Sequence, residues 1–131
     1  MANTNNYVLG NQGEKLALEN YLDKGYKLIT QNFQYYKDGV QGRLGELDLI
    51  MEKDKKIYVI EVKTRSDDQY GKPIEQITRA KLNYIYKTFQ YFLLKNRQYQ
   101  SYFCQFDVAC ITGNKIEIIP NAYSFESLHR Y

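Results

Sequence analysis

Tryptophan is missing from this chain of 131 residues, and histidine occurs once, as His129 in the tail. A lone tail histidine is assigned no catalytic role. Cysteine is limited to Cys104 and Cys110, six residues apart in one strand-like segment. An extended strand separates such positions by about 20 Å, beyond the reach of a disulfide. Both cysteines read as reduced, partly buried thiols of a cytoplasmic protein. There is no C-x-x-C and no Cys/His cluster, so nothing points to zinc. No apolar run approaches the length of a membrane span, and the opening residues 1–6 are polar, unlike a signal peptide. No membrane partner is expected. Repeats, linkers and low-complexity tracts are also lacking, so residues 1–131 are expected to form one domain.

The residues that are present fit an ordinary globular protein. Apolar residues make up 44% and charged residues 25%, enough for a single core without disulfide staples. Eighteen basic residues stand against 15 acidic ones, a net charge of +3. That mild excess suits a phosphate-rich partner without identifying one. The 14 tyrosines are the compositional surplus. Tyrosine can stack on bases, but it also fills half-buried sheet and helix faces, and most of these are read in the second way.

Periodicity lays out the elements. A first helix is expected over residues 12–24, with its apolar stripe at Ala17, Leu18, Tyr21 and Leu22 and a stop at Gly25. A strand follows over 26–33, then a glycine-rich connection at 37–42. Two more strands, Gly45 to Ile50 and Ile57 to Arg65, precede a polar loop at 66–72. Pro73 suits the first turn of a long helix over 74–95, in which Thr78 marks a candidate break. Strands at 102–112 and 115–119 turn at Gly113-Asn114, and the tail from Asn121 is expected to add a short helix. The order α-β-β-β-α-β-β predicts an α/β (α+β) fold, a mixed five-stranded sheet with helices packed on it.

Charge sits where two of these strands should be apolar. Side chains alternate faces along a strand, so Glu46 and Asp48 share one face, and Glu61 and Lys63 share one face with Ile57 and Val59. A turn centred between Asp54 and Lys55 places Asp48 opposite Glu61 and Glu46 opposite Lys63 on one side of the sheet. Opposed Cβ atoms lie about 4.5–5.5 Å apart. Carboxylates that close repel unless a cation lies between them or one is protonated. Mg²⁺ takes oxygen ligands and keeps several waters. The competing reading is a solvated sheet face on which Glu46 pairs with Lys63. The apolar run Ile57-Tyr58-Val59-Ile60 leading into Glu61 favours a cleft at the strand end.

Asp48 followed by Glu61-Val62-Lys63 resembles the PD-(D/E)xK nuclease superfamily, in which an acid on one strand precedes E-x-K on the next. More closely, the chain resembles the YraN-type family of bacterial endonuclease-like proteins. That likeness is carried by Gly10, Gly13-Glu14, Ala17, Gly25-Tyr26, Asn32, Gly45 to Ile50, Glu61 to Arg65, Gly71, Pro73, Lys81 and Phe106-Asp107-Val108. The resemblance implies a restriction-endonuclease-like core, similar to that of archaeal Holliday-junction resolvases. It implies DNA as partner and Mg²⁺ or Mn²⁺ as cofactor.

Roles follow position by position from the resemblance. Asp48 and Glu61 would be metal ligands, with the carbonyl of Val62 completing the set. Lys63 would position or help deprotonate the attacking water and offset charge on the phosphate. Glu14 would be a further ligand, direct or through water. Asn11-x-x-Glu14 also reads as a capping box, which would leave Glu14 merely closing the helix start. Glu46, Gln76 and Lys81 would support the site, although Lys81 also reads as a plain exposed helix lysine. Arg65, Lys72 and Arg79 would contact phosphates. The family's arginine before Phe-Asp-Val is Gln105 here, which leaves the partner of Asp107 open.

The expected function is metal-dependent hydrolysis of DNA phosphodiesters, on branched or damaged substrates. The alternative is a nucleic-acid-binding module that keeps the fold without cutting. A third reading, an interaction protein using its tyrosine surface, predicts neither metal nor DNA binding. A chain this small would need a homodimer to wrap a branched junction, and no motif specifies the interface.

Overall fold

The structure, a computed structural model, describes residues 4–36, 42, 45–65 and 78–123, with side chains described from Gln12 onward. The elements are α1 (Thr4–Asp23), β1 (Lys27–Tyr35), β2 (Gly45–Lys53), β3 (Lys56–Arg65), α2 (Arg79–Lys95), β4 (Phe103–Thr112) and β5 (Lys115–Tyr123), with a 3-10 turn at Arg97–Tyr99. The order is the one the sequence predicts. The polar loop after Arg65 and Pro73 lie outside the described residues, as does the tail beyond Tyr123. Residues 121–123, where a tail helix was expected to begin, instead extend β5, which runs past the predicted end at 119.

The five strands form one mixed sheet in the order β1-β2-β3-β4-β5. β1–β2, β2–β3 and β4–β5 pair antiparallel, while β3 and β4 run parallel across the α2 crossover. The β2–β3 ladder runs from Lys53↔Lys56 to Leu49↔Ile60, the register expected of a turn centred between Asp54 and Lys55. Both turn residues take positive φ, 52° and 60°, as a two-residue type I′ hairpin turn requires.

The helices cover opposite faces of the sheet. Ala17 and Tyr21 of α1 bury against Leu49, Met51, Ile60 and Ala109. Ile85, Phe89 and Phe92 of α2 bury against Leu47, Ile57, Val59, Phe106 and Val108 on the other face. Strands buried on both faces explain why β3 and β4 read as near-continuous apolar runs.

Three expectations need correction. Helix α1 begins at Thr4 rather than near residue 12. The apolar stripe locates where a helix packs, not where its hydrogen bonding starts. Asn11 therefore lies inside the helix, and the capping-box reading of Glu14 falls. Leu22, placed in the inward stripe, is exposed, because the buried face narrows to Ala17 and Tyr21. Cys104 is exposed where partial burial was expected, and Cys110 is buried; both are free.

The helix ends obey local chemistry. Gly25 adopts φ +89°, its N–H bonds to the Leu22 carbonyl at 3.0 Å, and the Tyr26 N–H reaches back to Tyr21 at 3.1 Å. That is a Schellman stop, which needs a residue tolerant of left-handed backbone. Thr78 caps α2, its Oγ1 accepting the Lys81 N–H at 3.1 Å, so the expected break becomes the helix start. Among the described residues no helix is long and apolar enough to cross a membrane.

Candidate functional site

The site begins where β2 and β3 part. Pairing reaches Leu49↔Ile60, and one step further Oδ2 of Asp48 accepts the Val62 N–H at 2.8 Å. A side-chain carboxylate there bonds a backbone group of the facing strand. β2 keeps its pairing with β1 as far as Tyr35↔Gly45, and β3 keeps its pairing with β4 to Arg65↔Thr112. Each strand is thus held from outside while the pair opens between them, and Asp48 and Glu61 flank the opening.

The helices press close at this end. A Cβ on Gly13 would sit 2.8 Å from Thr64 Oγ1, so the glycine lets α1 lie against β3 and brings Glu14 to the opening. A Cβ on Gly45 would collide with Thr88 of α2, so α2 rests directly on the start of β2. From the first turn of α2, Lys81 Nζ approaches Glu61 Oε1 at 3.9 Å.

Electrostatics tie the acids together. Glu61 is 7% exposed. Burial first, then the negative charge of Asp48, push its carboxyl up to about 7, against the pull of Lys81 and Lys63. Asp48 is also raised, chiefly by burial and then by Glu46, although the Val62 N–H, Lys81 and Lys63 favour its charged form. Glu14 is raised by burial, Asp48 and Glu46, with a side-chain hydrogen bond from Asn32 opposing. Its Oε1 is buried and has no hydrogen-bond partner among the described residues. Asn32 holds positive φ, 54°, at this point on β1. Glu46 Oε2 accepts Gln34 Nε2 at 3.3 Å, and Gln34 Oε1 accepts the Tyr36 hydroxyl at 2.6 Å.

This donor set fits a hard divalent cation. Four carboxylates feel one another's charge, and Glu14 offers a buried oxygen lacking a donor. Oxygen-only ligation suits Mg²⁺ or Mn²⁺. Among the described residues no three His, Cys, Asp or Glu side chains close into a cage. Mg²⁺ does not need one, since it is commonly held by one or two carboxylates plus water and phosphate.

The other sequence candidates divide. Lys63 and Val62 lie at the opening, and Arg65, two residues beyond Lys63, ends β3, half-buried. Arg79 is exposed at the first position of α2. Lys72 and Gln76 lie outside the described residues. Asp107 finds its partners elsewhere. It accepts the Tyr21 hydroxyl at 2.8 Å, Gln105 Nε2 at 2.8 Å and the Asn121 N–H at 2.9 Å. Gln105, in place of arginine, is itself one of those donors, and Lys56 Nζ donates to its other end at 2.6 Å. Gln34 was not foreseen at the site. Its signal was the β1–β2 register, which pairs Gln34 with Glu46 but which the long connection between the strands leaves unset in the sequence.

Residues 13–111 match the family described as "Uncharacterised protein family UPF0102". The chain is similar to the UPF0102 protein of Persephonella marina, 33% identical over 92% of this chain and 97% of the relative. The UPF0102 protein of Thermodesulfovibrio yellowstonii is 36% identical over 88% and 95% of the respective chains. That of Fusobacterium nucleatum is 32% identical over 89% and 92%.

Proposed function

The chain belongs to the UPF0102 family, and from that membership and the acidic opening between β2 and β3 we propose that it is a metal-dependent DNA endonuclease of the PD-(D/E)xK type. The observation that carries the proposal is the pair of acids where β2 and β3 part, Asp48 bonded to the Val62 N–H and Glu61 buried beside it, with Lys63 on Glu61's face and Lys81 at 3.9 Å from Glu61. Like charges held together in a partly buried site are costly to the fold, a cost that a bound cation would offset.

Asp48 and Glu61 would hold Mg²⁺ or Mn²⁺, with the Val62 carbonyl beside them and Glu14 reaching the ion through water. The bound ion supplies Lewis-acid polarisation of a phosphate oxygen and of water. Lys63 donates to a non-bridging phosphate oxygen and offsets the charge that builds there during attack. Glu14 Oε1 accepts a hydrogen bond from water at the opening. Lys81 neutralises Glu61 until phosphate and cation arrive. Arg65 and Arg79 lie at the rim and hold flanking phosphates, contacts that position DNA without reading its sequence.

The test is a cleavage panel of single-stranded, duplex, flap and four-way-junction DNA in Mg²⁺ or Mn²⁺, with Lys63→Ala and Asp48→Ala alongside. Cleavage by the wild type that both variants lose supports the reading; a wild type that cuts no substrate overturns it. A second reading, a nucleic-acid-binding module on the same fold, draws support from the Lys81–Glu61 pair, which neutralises the site without metal. Calorimetric titration with Mn²⁺ separates the two, since only the first predicts binding that Asp48→Ala abolishes.

A further inference from the structure

Helix α2 carries Arg79, Lys81, Lys87 and Lys95 and no acidic residue in 17 positions. Lys81, Tyr84, Thr88, Tyr91 and Lys95 recur at helical spacing and form one stripe along its flank. Thr88 rests on Gly45, which fixes that stripe on the side facing the start of β2 and the end of β1.

The stripe continues the candidate site. Lys81 links Glu61 to Tyr84, its Nζ lying 5.0 Å from the Tyr84 ring centre. Further along, Tyr91 meets Tyr35 of β1 at 4.4 Å between centroids, with planes inclined by 35°. Lys95 Nζ sits 5.4 Å over the Tyr91 ring. Tyr84 packs one edge on the core, whereas Tyr35 and Tyr91 pack on each other and Tyr91 also on Phe33.

We propose that this Lys–Tyr stripe is a binding track for an unpaired DNA strand leading into the Asp48–Glu61 opening. The inference rests on the nuclease reading and adds a substrate class to it, DNA with a single-stranded arm. Half-exposed tyrosine rings give every base a π-face to stack on, and flanking lysines meet the backbone, the pairing that single-strand-binding grooves use. A lysine amine over an exposed ring is a weak cover, which a base can replace while the amine turns to a phosphate. From Lys81 to Tyr91 the helix rises about 15 Å. At roughly 3.4 Å per stacked nucleotide the track holds about four nucleotides. A duplex keeps its bases stacked inside and can use only the lysines.

The experiment is fluorescence anisotropy in EDTA, where no cleavage occurs, with labelled oligothymidylate and a labelled duplex of equal length. Oligothymidylate is expected to bind the wild type more tightly than duplex. Tyr35→Leu with Tyr91→Leu should weaken the single strand at least about fivefold, the loss of one stacked base, and leave the duplex nearly unchanged. Tyr35→Phe with Tyr91→Phe should retain wild-type affinity. Lys95→Ala should weaken both ligands and flatten the salt dependence. If the double leucine variant melts early, the single variants Tyr35→Leu and Tyr91→Leu carry the test. Tighter duplex binding, unchanged single-strand affinity in the leucine variants, or no DNA binding at all overturns the track. The cleavage panel decides the nuclease reading separately.

Discussion

Asp48 and Val62 are joined across two strands that have already separated, with Oδ2 of Asp48 taking the Val62 N–H at 2.8 Å. That bond replaces a main-chain acceptor by a carboxylate and gives Asp48 two duties. It closes the end of the β2–β3 ladder, and it sets a charge beside Glu61.

The two duties separate by substitution. Asp48→Asn keeps an oxygen for the Val62 N–H and loses the charge, so it should cost less than about 1 kcal/mol of stability. Asp48→Ala orphans that N–H and should cost about 1–3 kcal/mol. Both should lose Mg²⁺-dependent cleavage. Denaturant melts beside the cleavage assay check this; equal stability of the two variants would refute the bridging role.

Glu61 should trade stability for function. Its folded-state value near 7 lies above the ordinary 4.5, so the folded protein binds more protons than the unfolded chain between those values. Stability of the metal-free protein therefore falls as pH rises from about 4.5 to 7 and stays reduced above. Glu61→Gln should remove that penalty and stabilise the metal-free protein at pH 8 by on the order of 1–3 kcal/mol, with no gain at pH 4. Thermal melts at both pH values read the effect directly. Mn²⁺ affinity of the wild type should rise with pH through about 7, as ligation needs the carboxylate.

Glu14 distinguishes ligand from cap. Because α1 starts at Thr4, Glu14→Gln removes no helix cap and should leave helicity and melting temperature unchanged or slightly improved. Mn²⁺ affinity should drop severalfold. Calorimetry together with circular dichroism checks both, and lost helicity would restore a structural role.

Asp107 should behave in the opposite way. Its carboxylate receives three donors from α1, β4 and β5; although Asp107 pairs with Ile60, one residue from Glu61, it turns to the face that α1 covers, whereas Glu61 meets Lys81 of α2. Asp107→Ala leaves those donors unmatched and should destabilise by about 2–4 kcal/mol. Tyr21→Phe, which removes one donor, should cost about 1 kcal/mol. Cleavage per folded molecule should remain near wild type in both; a selective loss of turnover would make Asp107 part of the site.

Local patterns carried much of the fold. The Asp54-Lys55 turn fixes the β2–β3 register, because a one-residue slip would turn every buried side chain to the wrong face. Gly25 ends α1 for a reason confined to its own backbone. Strand alternation put Glu61 and Lys63 on one face with Ile57 and Val59, but the expected pairs Asp48–Glu61 and Glu46–Lys63 do not form, because the β2–β3 ladder ends at Leu49↔Ile60 and Asp48 takes the Val62 N–H instead. Helix α1 escaped this reasoning at its start, since residues 4–11 carry no apolar residues at helical spacing in the sequence.

What the sequence determined by itself is therefore what neighbouring residues decide: element order, the hairpin register, the helix stop and the grouping of Asp48 with Glu61 and Lys63. The tertiary structure decided the contacts between segments distant in the chain. Lys81 comes to Glu61, Glu14 reaches the opening past Gly13, Gln34 bonds Glu46, and Tyr21 closes on Asp107 across 86 residues. Such contacts depend on which face of the sheet each helix covers and how strands meet across long connections. Periods of about 3.6 and two residues show that a face is buried, but not which element covers it.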